Sequence, residues 1–341
     1  MIGTNINATP AIPPKALDLL YKAGIRAARL WVNGEEVIKA RDSYDFSSTI
    51  AAVKRLRDAG FFVYANWSGI PAFMSENLPA YGPFSCWVEW KPGDPEPYEM
   101  GGAGRWRFAR PSEKPYCHMP NVPNVDAQQV EAFTYALASE TGGDVDWFGS
   151  GNEYDLRDFW PPIADPDYKN VGYRRAVEQV FAPAARGFRR AMPGGAVQLI
   201  GPESATAGGM GMLCELEEEM GLRLFDVLSG HFYAWGPWPE NAYERTEEFI
   251  TVWREHGHGR PLWNTENDSK GAPGYVDWLK ETTRRHGDTI GAHFRFEPWR
   301  WFKGGADEWN AGRFVPNQDY RDLQVWLEGG STIKKRRAVR T

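Results

Sequence analysis

The sequence predicts an α/β chain folded as a single (β/α)8 barrel, and three observations carry that prediction. Short apolar runs alternate with amphipathic stretches along almost the whole chain. Many of the amphipathic stretches close on a glycine, and eight such units follow one another with no linker to divide them. The length of 341 residues fits one barrel with insertions, so residues 1–341 are read as one domain.

Apolar runs at 2–6, 26–32 and 61–65 read as the first three strands. Between them, Pro13 and Pro14 open a helix that Gly24 stops, and Ser47 or Ser48 caps a second that ends at Gly60. Residues 68–125 lack periodicity and are rich in Pro, Gly and aromatics, so they read as a long functional loop inserted after strand three. Asp126, with Gln129 three residues on, begins a helix that turns Val130, Phe133 and Leu137 inward. Strand four lies at 146–149 and a helix at 171–192, bent at Pro183. Strand five at 197–200 and a helix near 212–220 follow, then strand six at 225–229 and a helix through Tyr243, Phe249 and Trp253. Strand seven begins at 261–263, a helix spans 275–286, strand eight spans 290–296, and a helix at 319–327 closes the barrel.

Composition narrows the function. Aromatic residues make up 14% of the chain, with 16 Trp, which is more than core filling asks for. An indole face suits the C–H face of a sugar, so several rings are expected to line a cleft for a carbohydrate. The net charge of −6, with both signs mixed along the chain, argues against a nucleic-acid partner. The one basic run, Lys334 to Arg337, reads as a frayed tail. No stretch is long and apolar enough for a membrane span. No signal-peptide pattern opens the chain, which leaves its location open, as it does the oligomeric state. Three cysteines make no disulfide framework, and whether Cys86 and Cys117 pair within the long loop is also left open.

Neither a metal nor a cofactor is expected. His256-Gly257-His258 has ligand-like spacing but precedes strand seven, on the face away from the chemistry. Cys117-His118 offers only two ligands. Strand one reads Asn5-Ile6-Asn7, where metal-dependent barrel hydrolases often carry His-x-His. Gly208-Gly209-Met210-Gly211 lacks the lysine and the spacing of a phosphate loop.

Barrels place their chemistry at the C-terminal ends of strands, where four glutamates fall: Glu153, Glu203, Glu266 and Glu297. A lone glutamate there usually pairs with an arginine, and Arg29 and Arg295 are available. Strands four and seven face each other across the mouth, which couples Glu153 with Glu266. Two carboxyl groups across a bond are what glycoside hydrolysis uses, and a separation near ~5 Å gives retention of configuration.

The segment from Trp147 through Gly151-Asn152-Glu153-Tyr154-Asp155-Leu156 to Phe159-Trp160 resembles the acid/base segment of glycoside hydrolase clan A. Its trailing Asp-Leu and Phe-Trp are similar to family 39, the β-xylosidases and α-L-iduronidases. Leu262-Trp263-Asn264-Thr265-Glu266-Asn267 resembles that family's nucleophile segment, and His231-Phe232-Tyr233 its His-x-Tyr. Gly69-Ile70-Pro71-Ala72-Phe73-Met74-Ser75 is similar to the Pro-containing turn after strand three.

The resemblance implies a retaining mechanism with Glu153 as acid/base and Glu266 as nucleophile. It also implies Asn152 as a sugar-hydroxyl contact, and Tyr233 and Arg29 as groups that orient Glu266. His231 then reads as a sugar-hydroxyl contact, with Trp299, Trp67 and Trp31 as stacking platforms. Where the family commonly has Trp before Asn-Glu and Pro after it, this chain has Gly151 and Tyr154. That implies a roomier floor and a new substrate contact from Tyr154. The expected activity is endo-acting cleavage of an oligo- or polysaccharide. Exo-action on chain ends, an inactive carbohydrate-binding barrel, and a barrel enzyme using Glu203 or Glu297 are the alternatives.

Overall fold

The computed structural model describes residues 1–7, 12–71, 74, 87–94, 98–99, 105–108, 125–156, 173–192, 194, 198–269 and 272–338. Eight parallel strands close a barrel: β1 (Ile2–Asn7), β2 (Ala27–Asn33), β3 (Phe62–Ser68), β4 (Trp147–Ser150), β5 (Gln198–Ser204), β6 (Val227–His231), β7 (Leu262–Asn267) and β8 (Ile290–Arg295). Neighbours in sequence are neighbours in the sheet, and β1 pairs with β8 to complete the ring. The helices on the outside are α1 (Pro14–Lys22), α2 (Ser47–Asp58), α3 (Ala127–Thr141), α4 (173–191), α5 (Ala207–Glu219), α6 (Glu240–His256), α7 (Tyr275–His286) and α8 (Gln318–Ala338).

Local chemistry explains most boundaries. Asp126 caps α3 by accepting from the backbone N–H of Gln128 and Gln129 at 2.9 and 3.3 Å. At α2 neither serine is the cap: Phe46 holds the N-cap position, and the Asp45 carboxylate before it accepts from both the N–H and the hydroxyl of Ser47. Pro183 does not simply bend α4. A π-helical turn at Val177–Phe181 precedes it, so the missing N–H falls in the first turn of the α-helical segment Ala182–Ala191. α5 starts at Ala207 rather than 212, capped by the Thr206 hydroxyl, because its glycines hide the periodicity of its first turn. The backbone of α8 stays helical to Ala338, so the basic run belongs to that helix. Within the insertion, where no regular element was predicted, Trp87–Glu89, Arg105–Phe108 and Tyr98–Glu99 form a small antiparallel sheet. Cys86 and Cys117 lie outside the described residues, while Cys214 is buried, which pushes its thiol up to about 12.

Alternation along the strands sorts the side chains. Ala27, Tyr64, Ile200, Val227, Trp263, Ala292 and Phe294 fill the barrel's interior. Their sequence neighbours point outward to the helices, as Trp67 does against Phe133 of α3 at 5.0 Å between ring centres. Two bulges break the alternation near the C-terminal mouth of the barrel. The pairing of β6 with β7 skips a residue between Gly230/Asn264 and His231/Glu266, which lets Trp263 and Glu266 share the inner face. The pairing of β5 with β6 shifts between Gly201 and Ser204, which does the same for Ile200 and Glu203.

Gly149 is the one position on β4 where a side chain would block this arrangement. A Cβ there would lie 2.3 Å from the Tyr64 hydroxyl and 2.8 Å from the Ile200 carbonyl oxygen. Gly149→Ala is therefore expected to cost about 1–3 kcal/mol of stability by overpacking, read as a lower urea midpoint with an unchanged slope. An unchanged midpoint would show that Tyr64 yields without cost.

Candidate active site

Three carboxyl groups and two cations meet at the C-terminal mouth of the barrel. Arg29, buried on the inner face of β2, sends Nη1 to Glu266 Oε1 at 2.5 Å and Nη2 to Glu203 Oε2 at 2.7 Å. Nη2 also donates to Asn152 Oδ1 at 3.2 Å. Burial works against the Arg29 charge, but the fields of Glu203 and Glu266 outweigh it and raise its pKa further. Glu266 receives a second bond from the Tyr233 hydroxyl at 3.2 Å. Burial first, then the Glu266 charge, pushes that phenol far up, so it remains a donor.

Glu153 is set by the backbone around it. It adopts a left-handed φ of 49°, follows Gly151 at φ 90°, and donates its N–H to the Glu203 carbonyl at 2.8 Å. The following turn is tied down by Asp155. Its carboxylate accepts from the N–H groups of Ala205 and Thr206 at 2.9 and 2.7 Å and from the Thr206 hydroxyl at 2.6 Å. The glycine run that does not read as a phosphate loop has its role here, since a Cβ at Gly209 would strike that carboxylate at 2.3 Å.

His231 corrects a sequence expectation. It is fully buried, with Nδ1 2.8 Å from Glu153 Oε1 and Nε2 3.1 Å from Glu203 Oε2, so no edge of the ring is left for a sugar hydroxyl. Burial alone would lower its pKa. The Glu266 charge and the bonds to Glu153 and Glu203 overcome that and raise it to about 10, so the ring is an imidazolium. Glu203, likewise buried, is held at about 2 because Arg29 and His231 outweigh its desolvation. Glu203 thus follows the ion-pair reading of a strand-end glutamate, with Arg29 as its partner. Arg295 instead pairs with Asp268 and Asp319, between the rings of Tyr275 and Trp301.

Two other expected contacts move into the core. Tyr154 is buried, with its ring edge-on to Phe181 at 4.7 Å, and it occupies the space a Cβ on Gly151 would need. The small residue at 151 and the large one at 154 thus pack against each other. Trp67 faces the helix layer because it is odd in register with the inward Tyr64 and Asn66. Trp31 shares the inner face of β2 with Arg29, whose guanidinium lies 5.2 Å from its ring. Trp299 is half-buried just past β8, two residues beyond Glu297.

One aromatic escaped the sequence reading. Trp235, in the loop after β6, is 57% exposed, with Arg245 at 4.2 Å from its ring and its backbone pinned by Asn241. Its place two residues after Tyr233 was the available clue.

Among the described residues, Glu153, His231 and Glu266 form the one group with metal-ligand spacing, each offering an atom within 4.8 Å of the others. Both ring nitrogens of His231 lie within hydrogen-bonding distance of a carboxylate, Nδ1 of Glu153 and Nε2 of Glu203. A cavity of about 520 Å³ lies at the opposite end, lined by Arg189, Gln198, Arg223, Asp226 and Arg260. It holds no pair of carboxyl groups. No described helix is long and apolar enough to cross a membrane.

No protein-family model matches the sequence, and no curated protein matches it. Solved structures of glycoside hydrolases do share its fold. A glucosidase from Croceicoccus marinus superposes with a TM-score of 0.59 at 16% identity, covering 94% of this chain and 66% of its own. A family 39 glycoside hydrolase from the gut symbiont Bacteroides cellulosilyticus WH2 gives 0.58 at 16% identity, covering 95% and 62%. The chain therefore spans less than two thirds of the length of these two. A GH5-4 broad specificity endoglucanase from an uncultured bacterium gives 0.59 at 13% identity, covering 95% and 92%. The chain thus shares its closed (β/α)8 barrel with these glycoside hydrolases, one of which is a family 39 enzyme.

The raised pKa of His231 ties stability to pH. Its contribution is complete below its ordinary 6.5 and is lost as pH climbs through about 10. The lowered pKa of Glu203 gives a contribution present above the ordinary 4.5 and lost as pH falls through about 2. The unfolding free energy is therefore expected to decline from neutral pH towards about 10, and this alkaline decline should flatten in His231→Gln. Equal slopes in the two proteins would show that the ring carries no extra proton in the folded state.

Proposed function

We propose that this chain is a retaining glycoside hydrolase in which Glu153 is the acid/base and Glu266 the nucleophile. One observation carries the reading: Glu153 and Glu266 present carboxyl oxygens within 4.8 Å of each other at the mouth of a closed barrel. Retaining enzymes set their two carboxyl groups about 5–5.5 Å apart, against roughly 6.5–9.5 Å for inversion. The asymmetry of their surroundings supports the division of labour. Glu266 is gripped by Arg29 and Tyr233, as suits a group that must attack along one line. Glu153, with 13% of its side chain exposed against 7% for Glu266, stands nearer the solvent from which water must come.

In the first step Glu266 attacks the anomeric carbon while Glu153 gives its proton to the departing glycosidic oxygen. The leaving group departs as an alcohol and a glycosyl-enzyme remains. In the second, Glu153 takes a proton from water, the water oxygen bonds to the anomeric carbon, and Glu266 is released. Asn152, oriented by Arg29, is positioned for a sugar hydroxyl. We assign the substrate as an oligo- or polysaccharide cleaved internally, with Trp235 as a stacking face beyond the reacting sugar. The solved neighbours include an endoglucanase and a xylanase, which agrees with that assignment.

The reading is tested on a panel of aryl glycosides. Glu266→Gln is expected to abolish turnover, and Glu153→Gln to lower it about 10²–10⁴-fold. Azide should rescue Glu153→Ala and yield a glycosyl azide of retained configuration. Gln variants as active as the wild type would remove both residues from the mechanism. Trp235→Ala should raise KM about 2–10-fold on oligosaccharides, the loss of one stacking contact, with little change on an aryl monoglycoside. An equal effect on both would place Trp235 outside the binding cleft.

A further inference from the structure

One carboxyl group of the cluster has no part in the reaction just described. Glu203 is fully buried and has a partner on every side. Oε1 accepts from the Tyr64 hydroxyl at 2.6 Å and from Ser229 Oγ at 3.0 Å, and Oε2 faces Arg29 Nη2 at 2.7 Å and His231 Nε2 at 3.1 Å. Substrate has no route to it. A buried ion pair commonly stabilises a fold no better than well-packed apolar side chains do, so stability alone gives little reason for a carboxylate here. What distinguishes Glu203 is that it touches Glu153 twice, once through the backbone bond from Glu153 N–H to its carbonyl at 2.8 Å and once through His231.

We propose that Glu203 is a positioning residue that acts through His231 to keep a transferable proton at Glu153. Glu203 accepts the Nε2–H, which leaves the Nδ1–H pointed at Glu153 Oε1, 2.8 Å away. When this proton passes from Nδ1 to Oε1, a neutral imidazole remains bonded to Glu203 and Glu153 becomes a carboxylic acid. The reverse transfer restores the imidazolium and the carboxylate. Charge and atoms balance within the pair, and Glu203 keeps its own state throughout while it fixes the tautomer. The groups that face the ring are Glu153 from the turn after β4, Glu203 from β5, Glu266 from β7 at 3.6 Å, and Tyr233 edge-on at 6.3 Å. Arg29 and Tyr64 stand behind Glu203 and hold its charge in place. Burial opposes a charged ring, but the three carboxyl groups raise it to about 10, which retains the proton through the neutral range.

This proposal rests on the acid/base role of Glu153 for its kinetic arm only. The direct test is an NMR titration of ¹⁵N-histidine in the full chain. The wild-type His231 ring is expected to carry both protons at about pH 8, and in Glu203→Gln its transition should move down by about one pH unit or more. Glu203→Asp, which keeps the charge, should recover most of that shift. In the kinetic arm, the alkaline limb of kcat/KM should move down with the ring in Glu203→Gln. The loss of rate should be larger for a glycoside with a poor phenol leaving group than for a dinitrophenyl glycoside, whose departure needs no proton.

A His231 transition unmoved by Glu203→Gln overturns the proposal, as does an equal loss on both glycosides with an unmoved limb. If Glu203→Gln does not fold, the wild-type spectrum decides, because a neutral ring at about pH 8 is incompatible with the relay. If no glycoside is turned over by the wild type, the hydrolase reading falls while the titration still judges the role of Glu203.

Discussion

Arg29 is only 1% exposed and lies between Glu203 and Glu266, and the mouth of the barrel is organised by the need to bury these charges together. A guanidinium removed from water is tolerable only when its donors are met, and a carboxylate only when its oxygens are. Each group here is the condition for its neighbour. Removing one partner from such a pair typically costs about 3–5 kcal/mol, because the other charge is left unanswered. His231 extends the same logic to Glu153, so that the two cations between them touch all three acids.

Much of the scaffold was legible in the sequence because it rests on local chemistry. Strands buried on both faces show as apolar runs, and the proline at 14 and the glycines at 24 and 60 mark helix limits whatever surrounds them. The helix Tyr275–His286 fell where its periodicity placed it. Strand order followed from the alternation of units, since a parallel barrel leaves few other ways to join them. The gathering of Glu153, Glu266, Asn152, Tyr233 and Arg29 at one end followed from the rule that barrels carry function at their strand ends.

What the sequence hid depends on register and on contacts distant in the chain. A period of two puts Trp263 and Glu266 on opposite faces, and only the bulge in β7 reconciles them. The direction of Trp67 turns on the same parity, and an aromatic near a strand end gives no hint of it. His231 looked like a substrate contact because its two partners are 28 and 78 positions away. Tyr154 looked like a gain to the cleft because the space it fills is made by Gly151 and Phe181 together. In each case a residue type suggested a surface role, and packing assigned it an interior one.

The left-handed backbone at Glu153, Glu203 and Glu297, with φ of 49°, 60° and 65°, bears on the history of the chain. Such a conformation costs a residue other than glycine of order 1–3 kcal/mol, and asparagine or aspartate tolerates it better than glutamate. Drift alone would carry these positions towards glycine or asparagine, the residues that relieve the strain. Glutamate at three strand ends of one barrel is therefore held against a backbone cost, as selection for the side chain would hold it. A descendant freed from that selection would be expected to lose these glutamates early, and to gain stability as it did so.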